Sequence, residues 1–222
     1  MHGKLDPDWP EIIQRWKQTQ GALRSRLIVN PLDPLPVLVA GADCALSRDR
    51  MAIVAAAVVY DRVEGRIVEI RHARRRLEFP YVPGFLSFRE GPAVLEAVGK
   101  LKSHWGVICF DGQGLAHPRR CGLATHMSIL LDRPGIGVAK SRFIGEFDPP
   151  PMTAGAMTPL RDADETIGVV LRTRSNVKPI FVSIGHRVDL PSAAALTMAC
   201  CTRYRIPEPT RQADIEVARR RG

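Results

Sequence analysis

The sequence predicts an α/β fold, a mixed β-sheet flanked by helices, on three observations. Three β-rich apolar segments (37–44, 51–60 and 66–77) follow one another across short polar connections, Ser47-Arg48-Asp49-Arg50 and Arg62-Val63-Glu64-Gly65. Antiparallel neighbours are joined in this way. Beyond residue 90 helical apolar stripes alternate with short apolar runs, as in a mixed sheet covered by helices. At 222 residues, 45% hydrophobic and 25% charged, the chain can bury one full core and reads as a single domain over residues 1–222.

Each element has its own warrant. Trp9, Ile12, Ile13, Trp16, Leu23 and Leu27 keep helical spacing, and Asp8 before Pro10 marks a start, so a helix is expected over about residues 7–28. The proline-rich linker 31–36 ends it, and both are expected to pack on or beside the domain. After the three strands, Val94, Leu95, Val98 and Leu101 form a helical stripe, and 107–111 reads as a buried strand ending in an acid. A helix from about 120 to 131, strands at 136–139, 166–171 and 180–183, and a helix from about 192 to 201 follow. The Arg219-Arg220-Arg221 tail reads as a solvated end.

Composition narrows the function classes. The net charge of +9 favours polyanionic partners. The longest apolar run, 51–59, falls well short of the roughly 20 residues that span a bilayer. No apolar segment follows a basic start, so a cytoplasmic monomer with no membrane partner is expected. Five cysteines without a C-x-x-C pair suggest neither a disulfide framework nor a zinc site.

The segment Pro80-Tyr81-Val82-Pro83-Gly84-Phe85-Leu86-Ser87-Phe88-Arg89-Glu90 is distinctive. Each proline locks its own φ and pushes the preceding residue out of the α region, so a stiff loop holding Tyr81 and Val82 is expected. A turn covering the core is the alternative. Asp43 falls in or at the end of the first strand, Asp111 ends the fourth, and Glu90 lies near the start of the helix between them. Carboxylates brought together repel unless a cation joins them, and oxygen donors suit Mg²⁺ or Mn²⁺. Such a cation beside a basic surface points to phosphodiester hydrolysis. The alternatives stay open: both aspartates could cap turns, and Glu90 could close a capping box with Ser87. Pro92 opposes the box, because with Ser87 as N-cap it would sit inside the helix and forfeit a hydrogen bond. A later helix start is therefore expected. Two nucleotide-site look-alikes fail: the glycine run after Asp111 has His117 for its third glycine, and the run at 134–141 has Pro134 and Ala139 for its defining glycines.

Four stretches, PYVPGFLSFREGP, DGQGLAHPRRCGLATHMSILLDRPGIGVAKSRFIG, VLRTRSNVKPIFVSIGHRVDL and YRIPEPTR, resemble the endonuclease V family of deaminated-base repair nucleases. The similarity runs in one order over about residues 37–211. It implies a ribonuclease H-like mixed sheet, three antiparallel strands and then alternating helices and strands. It implies Mg²⁺, with Mn²⁺ substituting, held by Asp43, Asp111 and Glu90, with Lys140 and His186 close to the reacting phosphate. Pro80, Tyr81, Val82 and Pro83 would form the wedge that separates strands. Gly84, Leu86, Gly112, Gly114, Leu115 and His117 would form the base pocket, with the Gly112 and Gly114 amides reading the base edge. The implied substrate is DNA containing deoxyinosine, with inosine-containing RNA a further partner, cut at the second phosphodiester 3′ to the lesion to leave 3′-hydroxyl and 5′-phosphate. Two rivals remain, a module that binds deaminated sites without cutting and a ribonuclease H-like nuclease with no base preference. Arg89, Arg119, Arg120, Lys140 and Arg142 are candidate phosphate contacts, and each could equally be a solvated surface charge. Two departures stand out: Cys44-Ala45-Leu46 lacks the family's tyrosine after the first aspartate, and Ser183-Ile184-Gly185-His186 replaces Ser-Pro-Gly-His.

Overall fold

Eight strands form one sheet in a computed structural model that describes residues 9–222. Helix α1 (Trp9–Arg24) precedes β1 (Leu38–Leu46), β2 (Ala52–Asp61) and β3 (Arg66–Arg76). Then come α2 (Leu86–Gly99), β4 (Val107–Asp111), α3 (Leu123–Leu131) and β5 (Gly135–Ala139). The chain continues with β6 (Met157–Asp162), β7 (Glu165–Leu171), β8 (Ile180–His186), α4 (Leu190–Ala199) and α5 (Glu208–Arg220). Positions 7 and 8 of the expected first helix lie outside the described residues, and α1 ends at Arg24 rather than 28.

The sheet order is β3-β2-β1-β4-β5-β8-β7-β6. β1, β4 and β5 run parallel, β2 and β3 fold back antiparallel on one side, and β8 runs antiparallel to β5 on the other. Alternation along β4 shows why the sheet is covered twice: Ile108 and Phe110 join the core under α2 and α3, while Val107 and Cys109 join the core under α4. On the α5 side, Gly41 admits Pro209 so closely that a Cβ would stand 2.2 Å from its backbone.

Two elements absent from the sequence reading appear. β6 is an edge strand carrying Pro159, which an edge tolerates and a central ladder does not. α5 is polar along most of its length, yet it buries Ala213 and Val217 together with Glu208, Thr210 and Glu216. The first turn of α2 also differs from expectation. The helix begins at Leu86, before Ser87, and keeps Pro92 inside it. Ser87 caps nothing, because its hydroxyl pairs with His126 Nδ1 at 2.9 Å. Leu86 to Glu90 is therefore helical, and only the part before it is the stiff loop.

Candidate active site

The carboxyl ends of the parallel strands place the acids. Ala42 of β1 registers with Phe110 of β4, so Asp43 and Asp111 follow side by side where the two strands leave their shared ladder. Lys140 comes one residue after β5 and sets its Nζ 2.6 Å from Asp111 Oδ2. The same ammonium lies 3.8 Å from Asp214 Oδ2, on α5. Asp214 was not anticipated, since the helix carrying it was not.

Electrostatics mark Asp43 as the strained member. Burial, followed by the charge of Asp111, pushes its carboxyl up to about 8, and Asp214 adds to this. The Cys44 N–H, donating to Asp43 Oδ1 at 2.8 Å, and Lys140 pull the other way without prevailing. Lys140 shows the reciprocal effect: burial works against its charge, but the bond to Asp111 and the surrounding carboxylates raise it. Glu90 sits apart. It accepts from the Cys44 thiol at 3.3 Å, and burial raises its carboxyl.

These residues fit a hard divalent cation in one particular way. Among the described residues, no three His, Cys, Asp or Glu side chains form a ready-made cage. Magnesium ordinarily takes one or two carboxylates and keeps water and substrate oxygens for the rest of its shell. Asp43 and Asp111, oxygen donors beside each other and short of positive charge, supply that minimum. Glu90 engages one carboxylate oxygen, Oε2, with the Cys44 thiol and is the third acid available to such an ion, directly or through water.

The Pro80–Pro83 loop is anchored rather than loose. At its base Gly84 adopts φ +81, and its carbonyl accepts from Arg119 Nη2 at 2.6 Å, Gln20 Nε2 at 3.1 Å and His117 Nε2 at 3.1 Å. Gln20 is fully buried on α1 and also donates to the Cys121 carbonyl at 3.0 Å. From the same helix, Trp16 packs against Phe79 on one side of the loop (4.7 Å between centroids) and stacks on Phe88 on the other (5.0 Å). Tyr81 stands 55% exposed on this base, and Val82 is half-buried.

Behind the loop lies a cavity of about 350 Å³, lined by Tyr81, Gly84, Leu86, Gly112 and His117 and also by Ser87, Gln113, Leu123 and Phe143. It touches Asp111 and Lys140 directly and is within the size range of small-molecule sites. A larger hollow of about 740 Å³ between 142–148 and 159–163 includes neither Asp43 nor Asp111, so the smaller cavity is the one joined to the acids.

Several expected site residues land elsewhere. Gly114 is buried, its N–H donates to Ser183 Oγ at 2.8 Å, and a Cβ there would meet Ile184 O at 2.1 Å. It serves backbone packing, not the cavity. Leu115 belongs to the core under α4. The Gly112 N–H is likewise committed, to Val138 O at 3.2 Å. His117 lines the cavity but offers no free ring nitrogen. Its Nε2 donates to Gly84 O while Nδ1 accepts from Arg119 N at 3.2 Å, and burial lowers its pKa to about 4. It acts as a neutral wall, 5.6 Å from the Phe143 ring.

His186 is the clearest correction. β8 runs antiparallel to β5, and His186 registers with Gly135, at the far end from Ala139 and Lys140. There it accepts from Ile28 N at 3.2 Å and faces Asp132 at 3.3 Å, buried beneath α1's outgoing chain. The phosphate contacts also change. Arg119 is engaged with Gly84, Gln20 and the face of Phe85 (4.3 Å), and Arg120 pairs with Asp162 and Glu165 at 2.8 and 2.7 Å. Arg142 bonds the Gly145 carbonyl, and Arg89 keeps a buried Nε without a partner among the described residues.

The endonuclease V family model matches residues 21–215. The chain belongs to the endonuclease V family. It is 46% identical over 214 residues to the endonuclease V of Roseiflexus sp. strain RS-1, covering 96% of both chains. The crystal structure of endonuclease V from Streptomyces avermitilis superposes with a TM-score of 0.88 at 45% identity, over 93% of this chain and 91% of that one. The catalytic domain of human endonuclease V superposes at 0.87 with 32% identity, over 94% and 95%. Endonuclease V from Ciona intestinalis, in complex with a 24mer DNA containing an inosine followed by a ribo-adenosine, superposes at 0.82 with 28% identity, over 95% and 97%. The sheet of this chain is thus the endonuclease V sheet. Among the described residues no helix is long and apolar enough to cross a membrane.

Proposed function

We propose that this protein is a Mg²⁺-dependent endonuclease of nucleic-acid repair that recognises deaminated bases, chiefly inosine in DNA. It hydrolyses the second phosphodiester bond 3′ to the lesion and leaves 3′-hydroxyl and 5′-phosphate ends. The observation that carries this reading is an anchored aromatic loop opening on a base-sized cavity that adjoins Asp111 and Lys140. The inosine DNA bound to the Ciona relative supports the choice of substrate.

Pulling hypoxanthine from a duplex costs only a few kcal/mol, because it pairs imperfectly. Tyr81 fills the space left in the stack, on a loop whose ordering was completed on folding. Leu86, Leu123, Phe143 and the neutral His117 enclose the turned-out base, and selection rests on shape together with whatever backbone groups reach its edge. Asp43 and Asp111 would hold Mg²⁺, with Mn²⁺ able to substitute; bound there, the ion supplies Lewis-acid neutralisation of phosphoryl charge. Lys140 keeps a positive charge beside the acids and is placed to meet a phosphate oxygen. Cys44 orients Glu90 from behind.

The test compares labelled strands with inosine or adenine at one position, as DNA and as RNA, with Mg²⁺ or EDTA, and maps the ends. Inosine-dependent, Mg²⁺-dependent nicking at the expected bond supports the reading. Equal cutting of both strands would favour a nuclease without base preference, and tight inosine binding without cutting would favour a binding module.

A further inference from the structure

Sequence alone makes the terminal arginines a solvated tail, but the structure ties them to the catalytic end of the sheet. The Arg48 N–H donates to Arg221 O at 3.0 Å, and Arg221 Nε donates to Leu46 O at 3.0 Å. Arg74, at the end of β3, reaches Asp49 at 3.1 Å across the β1–β2 turn. Three segments are thereby joined: Arg48 and Arg50 on the turn, arginines 74–76, and arginines 219–221. All of them are exposed. Against these stand Asp49, which pairs with Arg74, Glu96, which meets Arg75 at 3.5 Å, and Glu216, which holds Arg219 at 2.5 Å. Arg48, Arg50, Arg76 and Arg220 make no side-chain ion pair or hydrogen bond among the described residues.

The position of this cluster decides what it faces. Leu46 lies three residues beyond Asp43 on β1, or about 10 Å at strand rise. Arg221 lies seven residues beyond Asp214, again about 10 Å at helical rise. Both paths lead from the acids toward the β1–β2 turn, where the arginines gather. A strand of B-DNA advances about 3.4 Å per nucleotide along its axis, so 10 Å is about three base steps. Arg119 and Arg120, which follow the cavity residue His117 in sequence, are already paired within the protein.

We propose that this arginine cluster is a second phosphate-binding surface, which holds the backbone of the substrate about three base steps from the cut. The proposal rests on the endonuclease reading above for its occupant, the flanking duplex. Long substrates gain affinity from it, and short ones do not. Its contribution is electrostatic and independent of the lesion.

The test uses the full chain carrying R48Q/R76Q/R220Q, with R48K/R76K/R220K as the charge-retaining control. Binding of a duplex extending about ten base pairs either side of inosine is titrated against salt, with Ca²⁺ in place of Mg²⁺ to prevent cutting. If each arginine neutralises one phosphate, the Gln variant loses about 2.7 from the slope of log K against log salt. Between 50 and 200 mM salt, wild-type affinity should then fall about 40-fold more than the variant's. The Lys variant should keep the wild-type slope. Cleavage of a short inosine oligonucleotide ending about two nucleotides past the cut should be the same in all three proteins. An unchanged slope in the Gln variant overturns the proposal, as does an equal loss on short and long substrates. A wild-type protein that cuts neither substrate overturns the endonuclease reading instead, and the slope comparison still decides the surface.

Discussion

Gly84→Ala should damage duplex cleavage out of proportion to its size. Gly84 holds φ +81, where an L-residue costs about 1–2 kcal/mol more than glycine. The added Cβ would stand 2.8 Å from Arg119 Nη2, the far end of a flexible side chain, so Arg119 must rotate while the backbone stays. Rotation gives up the charge-assisted bond to the Gly84 carbonyl, worth about 1.5–3 kcal/mol, though Gln20 and His117 remain. Together these come to about 2.5–5 kcal/mol. For a chain of this size each kcal/mol moves the melting temperature by about 2–4 °C, so a fall of about 10 °C is expected. Tyr81 stands three residues before the altered turn and should lose its fixed angle. Thermal melts and single-turnover cleavage should be measured on duplex and single-stranded inosine substrates. Duplex cleavage should drop about ten-fold or more, with a smaller loss on the single strand, which has no pairing partner to replace. A variant that melts within a degree or so of wild type and cuts the duplex at full rate would show that the carbonyl anchor does not position the loop.

The remaining expectations are narrower. Asp43→Asn and Asp111→Asn should each lose about 10³-fold or more in cleavage rate while keeping the wild-type circular dichroism spectrum; wild-type cleavage by either folded variant removes it from the metal site. Tyr81→Ala should leave stability within about 0.5 kcal/mol, because the side chain is 55% exposed. It should cost about ten- to a hundred-fold on duplex inosine and less on a single strand, and equal losses would assign Tyr81 to the fold. Burial lowers the His126 imidazole to about 4, against an ordinary value of 6.5. The unfolded chain therefore binds the extra proton first as pH falls. The stability linked to neutral His126 is complete above about 6.5 and declines by about 1.4 kcal/mol per pH unit down to about 4. The difference in unfolding free energy between wild type and His126→Gln should shift by up to about 3 kcal/mol across that window, groups common to both cancelling. A pH-independent difference would mean His126 already titrates normally in the fold.

What sequence made legible was local. β1, β2 and β4 show themselves as continuous apolar runs, and an aspartate at the end of such a run is visible without knowing which strands touch. That sufficed to pick out Asp43 and Asp111, whereas Lys140 came only from the resemblance to the family. His186 shows the limit, because strand direction is a tertiary property. β8 is antiparallel to β5, so a residue at the end of β8 is carried away from the end of β5. Gly114 and Leu115 failed for a related reason: adjacent residues in a motif point to different places, and the crowding of Gly114 against Ile184 O cannot be read from spacing. Asp214 was hidden with its helix, since α5 buries glutamates and a threonine where an apolar stripe would be sought. Pro92 misled in the opposite direction. A proline inside a helix forfeits one hydrogen bond, and the packing of Ala93, Val94, Ala97 and Val98 beneath the sheet outweighs that loss.

The distribution of charge explains why both ends of the chain matter to one site. A net charge of +9 says only that a polyanion is welcome. The structure divides that charge into two kinds. Arg119 and Arg120 are turned inward: one fixes the loop base, and the other pins the β6–β7 turn through Asp162 and Glu165. Such residues cannot meet phosphate without releasing what they hold, so their positive charge serves the fold first. The exposed arginines sit where α5 returns to the β1–β2 turn, on the helix that also brings Asp214 to Lys140. α1 closes the other side by clamping the loop between Trp16 and Gln20. The sheet thus supplies Asp43 and Asp111, α1 the anchoring of the loop, and α5 both an acid beside Lys140 and positive charge beyond it. Truncating either terminal helix would therefore impair a different function: loss of α1 would loosen the loop, and loss of α5 would remove Asp214 together with the outlying cations.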